Sequence, residues 1–104
     1  MADVDRRQEL HELLCGVLGS RYVYFQPPEN LKMQFPCIIY EHDNYYLTHA
    51  DNRKYIRKRK YTVTIVDKNP DTAIPERLEE LPFTEFSRRF VADNMNNIVY
   101  TIYY

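Results

Sequence analysis

The chain has 104 residues, 14 basic and 15 acidic side chains, and a formal net charge of −1. This length predicts one domain over residues 1–104. It contains no apolar run long enough to cross a membrane, and the first residues lack the apolar segment of a signal peptide. We therefore expect neither membrane insertion nor secretion. The two glycines do not supply the spaced glycines of common nucleotide-binding motifs.

The near-neutral total hides a local concentration of positive charge. Residues 53–60 read R-K-Y-I-R-K-R-K, with six basic and no acidic side chains. The rest of the chain has 8 basic against 15 acidic residues, a net charge of −7. The sequence therefore predicts an acidic body with one basic segment.

Hydrophobic spacing and turn residues predict seven elements. Leu10, Leu13, Leu14, Val17 and Leu18 recur at helical spacing, and Gly19 suits the position after the last turn. Alternating and β-branched segments indicate strands. In chain order we predict a helix over 4–18, strands over 21–25, 37–40 and 55–66, a helix that ends at residue 81 with Thr72 as its N-cap, and strands over 83–91 and 98–104. Residues 42–47 continue the second strand, and 93–97 form the last turn.

These elements predict an α+β fold. The order is α-β-β-β-α-β-β, with an antiparallel sheet of four to five strands and two flanking helices. The second and third strands form a long β-hairpin that projects past the core. We call the hairpin segment from Thr48 to Lys60 the arm.

Residue types that often carry catalysis lack a catalytic context here. Cys15 and Cys37 lie in apolar segments, where core packing is expected of reduced thiols. His42 and His49, with nearby aspartates, flank a turn without the spacing of a metal motif. Neighbouring Glu79 and Glu80 suit a solvated helix face. We expect no enzyme, cofactor or metal.

The basic segment has three possible roles. It can bind nucleic-acid phosphate, contact an acidic protein surface, or protect a sheet edge from aggregation. A body with net charge −7 repels a polyanion, which favours a protein contact. The candidate contact residues on the arm are Asp51, Asn52, Arg53, Lys54, Arg57, Lys58, Arg59 and Lys60.

Ten tyrosines supply a second candidate contact surface. Tyrosine is enriched at interfaces because it combines apolar area with a polar tip. A sheet that uses tyrosine at half-buried positions is an equal alternative. The candidate interface aromatics are Tyr45, Tyr46, Tyr100, Tyr103 and Tyr104.

An ordered set of segments resembles a known protein family. The segments are V-Y-F-Q-P-P (23–28), K-M-Q-F-P-C-I-I-Y (32–40), A-D-N (50–52), R-K-R-K-Y-T-V-T-I-V-D (57–67), N-P-D-T-A-I-P (69–75), L-P (81–82) and F-V-A-D-N-M-N (90–96). Following a short N-terminal helix, this set resembles the tail terminator, or tail completion, proteins of long-tailed bacteriophages. The resemblance spans nearly the whole chain.

This resemblance implies a structural role in the virion. Such proteins form a hexameric ring that caps the tail tube, stops its polymerisation and joins the tail to the head. The expected partners are further copies of the chain, the tail tube protein and a head–tail connector or stopper, with DNA only passing through the lumen. The expected location is the neck end of the tail, after assembly in the host cytoplasm. A small nucleic-acid-binding module and another head–tail adaptor ring are the alternatives.

Overall fold

A computed structural model describes the backbone of residues 3–48 and 57–104 and the side chains of residues 6–43 and 59–104. The predicted element order α-β-β-β-α-β-β is confirmed. The elements are α1 (Asp3–Leu18), β1 (Val23–Phe25), β2 (Cys37–Thr48), β3 (Arg57–Asp67), α2 (Ile74–Leu78), β4 (Thr84–Ala92) and β5 (Met95–Tyr103). The described helices include none long and apolar enough to span a membrane.

The helix α1 buries most of its predicted apolar stripe. Leu10 and Leu14 are fully buried, whereas Leu13 is exposed, so its predicted place on the stripe is wrong. Leu10, Leu14 and Leu18 follow one another at four-residue spacing and face the sheet. Leu13 lies to the side of this row and therefore stays in contact with solvent. The helix ends as predicted at Gly19, where φ is +85° and the N–H donates to the Cys15 carbonyl at 2.8 Å.

The five strands form one sheet in the order β1-β2-β3-β5-β4. Three of the neighbouring pairs are antiparallel, but β1 runs parallel to β2, with Val23 opposite Ile38. The sheet is therefore mixed rather than wholly antiparallel. The parallel pairing arises because residues 26–36 return the chain to the starting end of β1 before β2 begins.

One face of the sheet carries the core. The helix α1 packs against β1, β2 and α2. Alternate residues of the central strands point to this face, which fits the period of two in a strand. The fully buried side chains from these strands include Ile38, Tyr40, Tyr61, Val63, Ile65, Ile98 and Ile102.

The second helix and the last turn are both shorter than predicted. The helix α2 ends at Leu78 instead of continuing to residue 81, and its N-cap is Ala73. The predicted cap, Thr72, lies one residue earlier, and its hydroxyl accepts the backbone N–H of Ile74 at 3.3 Å. The β4–β5 turn is shorter than the predicted span 93–97, because Ala92 already pairs with Met95. Asp93 and Asn94 both have positive φ, +54° and +63°, as a two-residue type I′ hairpin turn requires.

Candidate assembly surface

The predicted arm begins where the sheet narrows to two strands. Strand β3 pairs with β5 only from Lys60 onward, where Lys60 lies opposite Tyr103. Residues 57 and 58 pair with β2 alone, opposite Thr48 and Leu47. Arg59 lies opposite Tyr46 on β2 and is also bonded to the chain that follows β5. The hairpin formed by β2 and β3 thus extends past β5, as predicted. Asp51, Asn52, Arg53 and Lys54 lie outside the described residues.

Lys60, the last residue of the basic segment, forms an ion pair within the chain. Its Nζ lies 3.6 Å from Oδ2 of Asp43, and both side chains are largely buried. Thr62 also donates its hydroxyl to Asp43, at 3.3 Å. Lys60 therefore anchors β3 to β2 within the chain. Its contact to another molecule stays a prediction.

Arg59 marks the boundary between the sheet and the arm. Its side chain is half-buried, and its carbonyl accepts a hydrogen bond from the backbone N–H of Tyr104 at 2.9 Å. The expectation that this half-strand lies wholly off the core therefore fails at positions 59 and 60. For Arg57 and Lys58 the structure describes the backbone, which lies in the two-stranded part of the hairpin.

The base of the hairpin is rigidified by aromatic contacts. The His42 ring stacks on Tyr61, with centroids 5.0 Å apart and planes inclined by 30°. It also meets the edge of Phe25 at 5.2 Å. Because Tyr61 is buried in the core, these contacts join the base of the hairpin to the packed interior. The His42 ring thus packs between Phe25 and Tyr61. His49 lies outside the described residues.

The candidate interface tyrosines divide into three groups. Tyr45 and Tyr46 lie on β2, and their side chains are outside the described set. Tyr103 and Tyr104 are half-buried. Tyr100 is only 2 % exposed, so its prediction as an interface aromatic is wrong. Its hydroxyl donates to a carboxylate oxygen of Glu79, which satisfies the one polar group that would otherwise oppose burial.

Tyr104 closes the C-terminus onto α1. Its hydroxyl donates to Glu9 at 3.2 Å, and the guanidinium of Arg6 lies 4.6 Å from the ring centroid. Burial, followed by the hydrogen bond to the Glu9 carboxylate, raises the pKa of Tyr104. This ring is therefore engaged within the chain, on the same side of the sheet as α1.

Both cysteines are free and buried, as the sequence predicted. Burial raises the pKa of the Cys37 thiol to about 11 and also raises that of Cys15. A raised pKa lowers the thiolate fraction at neutral pH, and the thiolate is the reactive form. The two thiols therefore have the properties of core side chains.

Stability is expected to fall in alkali through Cys37. The folded state holds the thiol proton more tightly than the unfolded state, so the contribution is complete below the unfolded pKa and is lost as pH rises through about 11. We expect Cys37→Ala to remove about 2 kcal/mol of the decline in unfolding free energy between about pH 8.5 and 11. Urea unfolding of both proteins across this range measures it. Parallel pH profiles would contradict the assignment.

The sequence missed a second exposed surface, along β4. Glu85–Ala92 are exposed on both faces of the strand, including Phe86, Phe90 and Val91. A signal was available in the sequence. Phenylalanines and arginines occur at both odd and even positions of this segment, so the alternation of side chains does not specify one buried face. The strand pattern predicted β4 correctly but did not reveal its exposure.

No protein-family model, curated protein sequence or solved structure matches this chain.

Proposed function

We propose that the chain is the subunit of a virion ring that caps a phage tail tube, ends its polymerisation and joins the tail to the head connector. The ring contains further copies of the chain, six by the resemblance of its ordered segments to tail terminator proteins. Its partners are the tail tube protein and a connector or stopper protein. It acts at the neck end of the tail, after assembly in the host cytoplasm, and its role is structural.

The separation of charge on the hairpin carries this proposal. Six basic residues lie in 53–60, and the remainder of the chain has net charge −7. Arg57 and Lys58 belong to the part of β3 that pairs with β2 alone. The basic segment and the acidic remainder of the chain are two different, oppositely charged parts of one subunit, so one copy can attract the next through them. Such patches suit the head-to-tail contacts from which rings are built.

Tail length in virus particles tests the proposed role. Particles made without this chain are expected to contain tails of abnormal length that are not joined to heads. Supplying the chain from a plasmid restores normal tails and serves as the control. Tails of normal length joined to heads in its absence would refute the proposal. Normal tail length with failed joining would instead indicate another adaptor ring of the neck.

A nucleic-acid-binding module is the second candidate, because the basic segment is interleaved with Tyr55 and Tyr61. Tyr61 is buried, which removes one of the two stacking rings from consideration. A titration of DNA and RNA binding between about 50 and 200 mM salt separates the candidates. Strong, salt-dependent affinity of the isolated chain would favour the module. If no such affinity is measured, the nucleic-acid-binding module is refuted, and DNA remains only a molecule that passes through the lumen of the ring.

A further inference from the structure

The helix α1 is tied to the sheet by a hydrogen bond between two ring side chains. Nδ1 of His11 lies 2.8 Å from the hydroxyl oxygen of Tyr40 on β2. The two rings are also in contact, with centroids 5.6 Å apart and planes inclined by 56°. Tyr40 is 0 % exposed, whereas His11 is half-buried and can exchange a proton with solvent. We call the pair of His11 and Tyr40 the latch.

The latch lies at the base of the hairpin. The Tyr40 ring packs against Phe25 of β1, with centroids 5.0 Å apart, and against Tyr61 of β3, with centroids 6.1 Å apart. On α1, Arg7 lies one turn before His11, and its guanidinium is 4.3 Å from the centroid of the Phe25 ring. The hydrogen bond of the latch therefore connects α1 to aromatic side chains of three strands.

The hydrogen bond depends on the protonation state of His11. A neutral imidazole has one nitrogen that accepts a hydrogen bond. With the proton on Nε2, Nδ1 accepts the Tyr40 O–H, and the buried hydroxyl has a partner for its proton. An imidazolium donates from both nitrogens and accepts at neither. Protonation of His11 therefore removes this acceptor from a buried O–H group, and a buried donor that loses its acceptor destabilises the contact.

The surroundings of His11 favour its neutral form. Burial is the largest influence and lowers the pKa of His11 below its ordinary value of 6.5. Glu12 acts in the opposite direction, whereas Arg21 and Arg7 act in the same direction as burial. The Glu12 carboxylate accepts two hydrogen bonds from Arg21, at 2.8 and 2.9 Å, so its negative charge is largely balanced. The folded state therefore binds a proton at His11 less readily than an unfolded chain does.

Among the described residues, the elements packed against α1 bring no carboxylate to His11. Strand β1 has no charged side chain, and Tyr40 is the titratable group that β2 places against the imidazole. His42 lies on the same face of β2, but its ring packs on other aromatic side chains. From α2, Arg77 donates to the Val17 carbonyl at 2.7 Å, nearly two turns further along α1. A protonated His11 therefore gains no compensating charge from these elements.

We propose that His11 makes the latch sensitive to acid, so that it holds α1 on the sheet while the imidazole is neutral and releases the helix when the imidazole is protonated. Because the released imidazole has the higher pKa, the contribution of the latch is complete above about 6.5 and is lost as pH falls through the pKa of the folded state. The latch acts within one chain, so it goes beyond the proposed ring and does not depend on it.

The native thiol of Cys15 reports the release of α1. It lies one turn after His11 and is 6 % exposed, whereas Cys37 on β2 is fully buried. Labelling with a dipyridyl disulfide, followed by peptide mapping, measures the reaction rate of each thiol at about pH 7 and about pH 5, on either side of histidine ionisation. The His11→Gln variant is the reference, because glutamine supplies an acceptor oxygen that does not titrate. Dividing by its rate removes the intrinsic pH dependence of the thiol.

On acidification, the Cys15 rate of the parent relative to the variant is expected to rise about threefold or more, the change to which half a unit of pKa corresponds. Cys37 should not follow. An unchanged ratio at Cys15 would overturn the latch, and so would an equal rise at Cys37, because the whole chain would then be opening. His42→Gln is the matched control and should retain the rise. Loss of the rise in this control would assign it to His42 and overturn the proposal.

A second measurement uses the parent protein alone. An NMR titration of the histidine rings should give His11 a pKa below 6.5, and the Tyr40 ring signals should move with the same midpoint. A His11 pKa at or above 6.5, or Tyr40 signals that do not follow the titration, would overturn the latch.

Discussion

Reversing charge on the arm with Arg57→Glu and Lys58→Glu is expected to weaken ring assembly at least tenfold, or about 1.4 kcal/mol per subunit contact. Both residues lie where β3 pairs with β2 alone, so the change removes attraction to an acidic neighbour without disturbing the core. The unfolding free energy should change by no more than about 0.5 kcal/mol. Sedimentation against concentration measures assembly, and urea unfolding measures stability.

The matched control changes the same net charge elsewhere. Lys32→Glu with Lys68→Glu alters two exposed lysines outside the arm. This control should assemble like the parent at about 150 mM salt, where the Debye length is about 8 Å. If both double variants assemble equally well, the arm is no subunit contact. Unchanged assembly with a loss of DNA passage during ejection would place the arm in the lumen. Arg59 is left intact because its side chain is half-buried.

Truncating Leu14 is expected to have the largest effect on stability. Leu14→Ala leaves a cavity where α1 packs on the sheet, and we expect a loss of about 3 kcal/mol, within the range of buried leucine truncations. Leu13→Ala, one position away and exposed, should cost less than about 1 kcal/mol. Denaturant unfolding of the two variants measures the difference. Equal losses would show that α1 packs through a different face.

Local sequence patterns predicted the elements because each carries its own signal. Helical spacing located α1, Gly19 marked its end, and alternation over residues 61–66 located β3. The two-stranded extension follows from the predicted third strand, 55–66, being longer than the predicted last strand, 98–104. Such features depend on the periodicity of one segment, so one sequence suffices to find them.

Features that depend on pairing between distant segments were not predictable in the same way. Residues 26–36 looked like a simple connection, and nothing in them specifies that β1 runs parallel to β2. The sequence leaves Tyr100 either at an interface or half-buried in the sheet, and its full burial depends on the acceptor that Glu79 supplies just after α2. Glu79 itself was interpreted as part of a solvated helix face. Each of these outcomes depends on a partner more than ten residues away.

The exposure of β4 has the same origin. A strand at the end of the sheet order has one neighbour, but the sequence does not state which strand takes that place. Once β4 occupies the edge, Phe86 retains only an edge-on contact with Tyr100, with centroids 5.6 Å apart. The rest of the ring is left in solvent. The exposure of this edge therefore depends on the order of the strands, which the sequence alone does not specify.

The native mass of the purified chain, measured with and without purified tail tubes, tests the central claim most directly. We predict a closed oligomer of a single size that binds tube ends and prevents the addition of further tube protein. A chain that stays monomeric in both conditions, or an oligomer that leaves tube growth unchanged, would contradict the account.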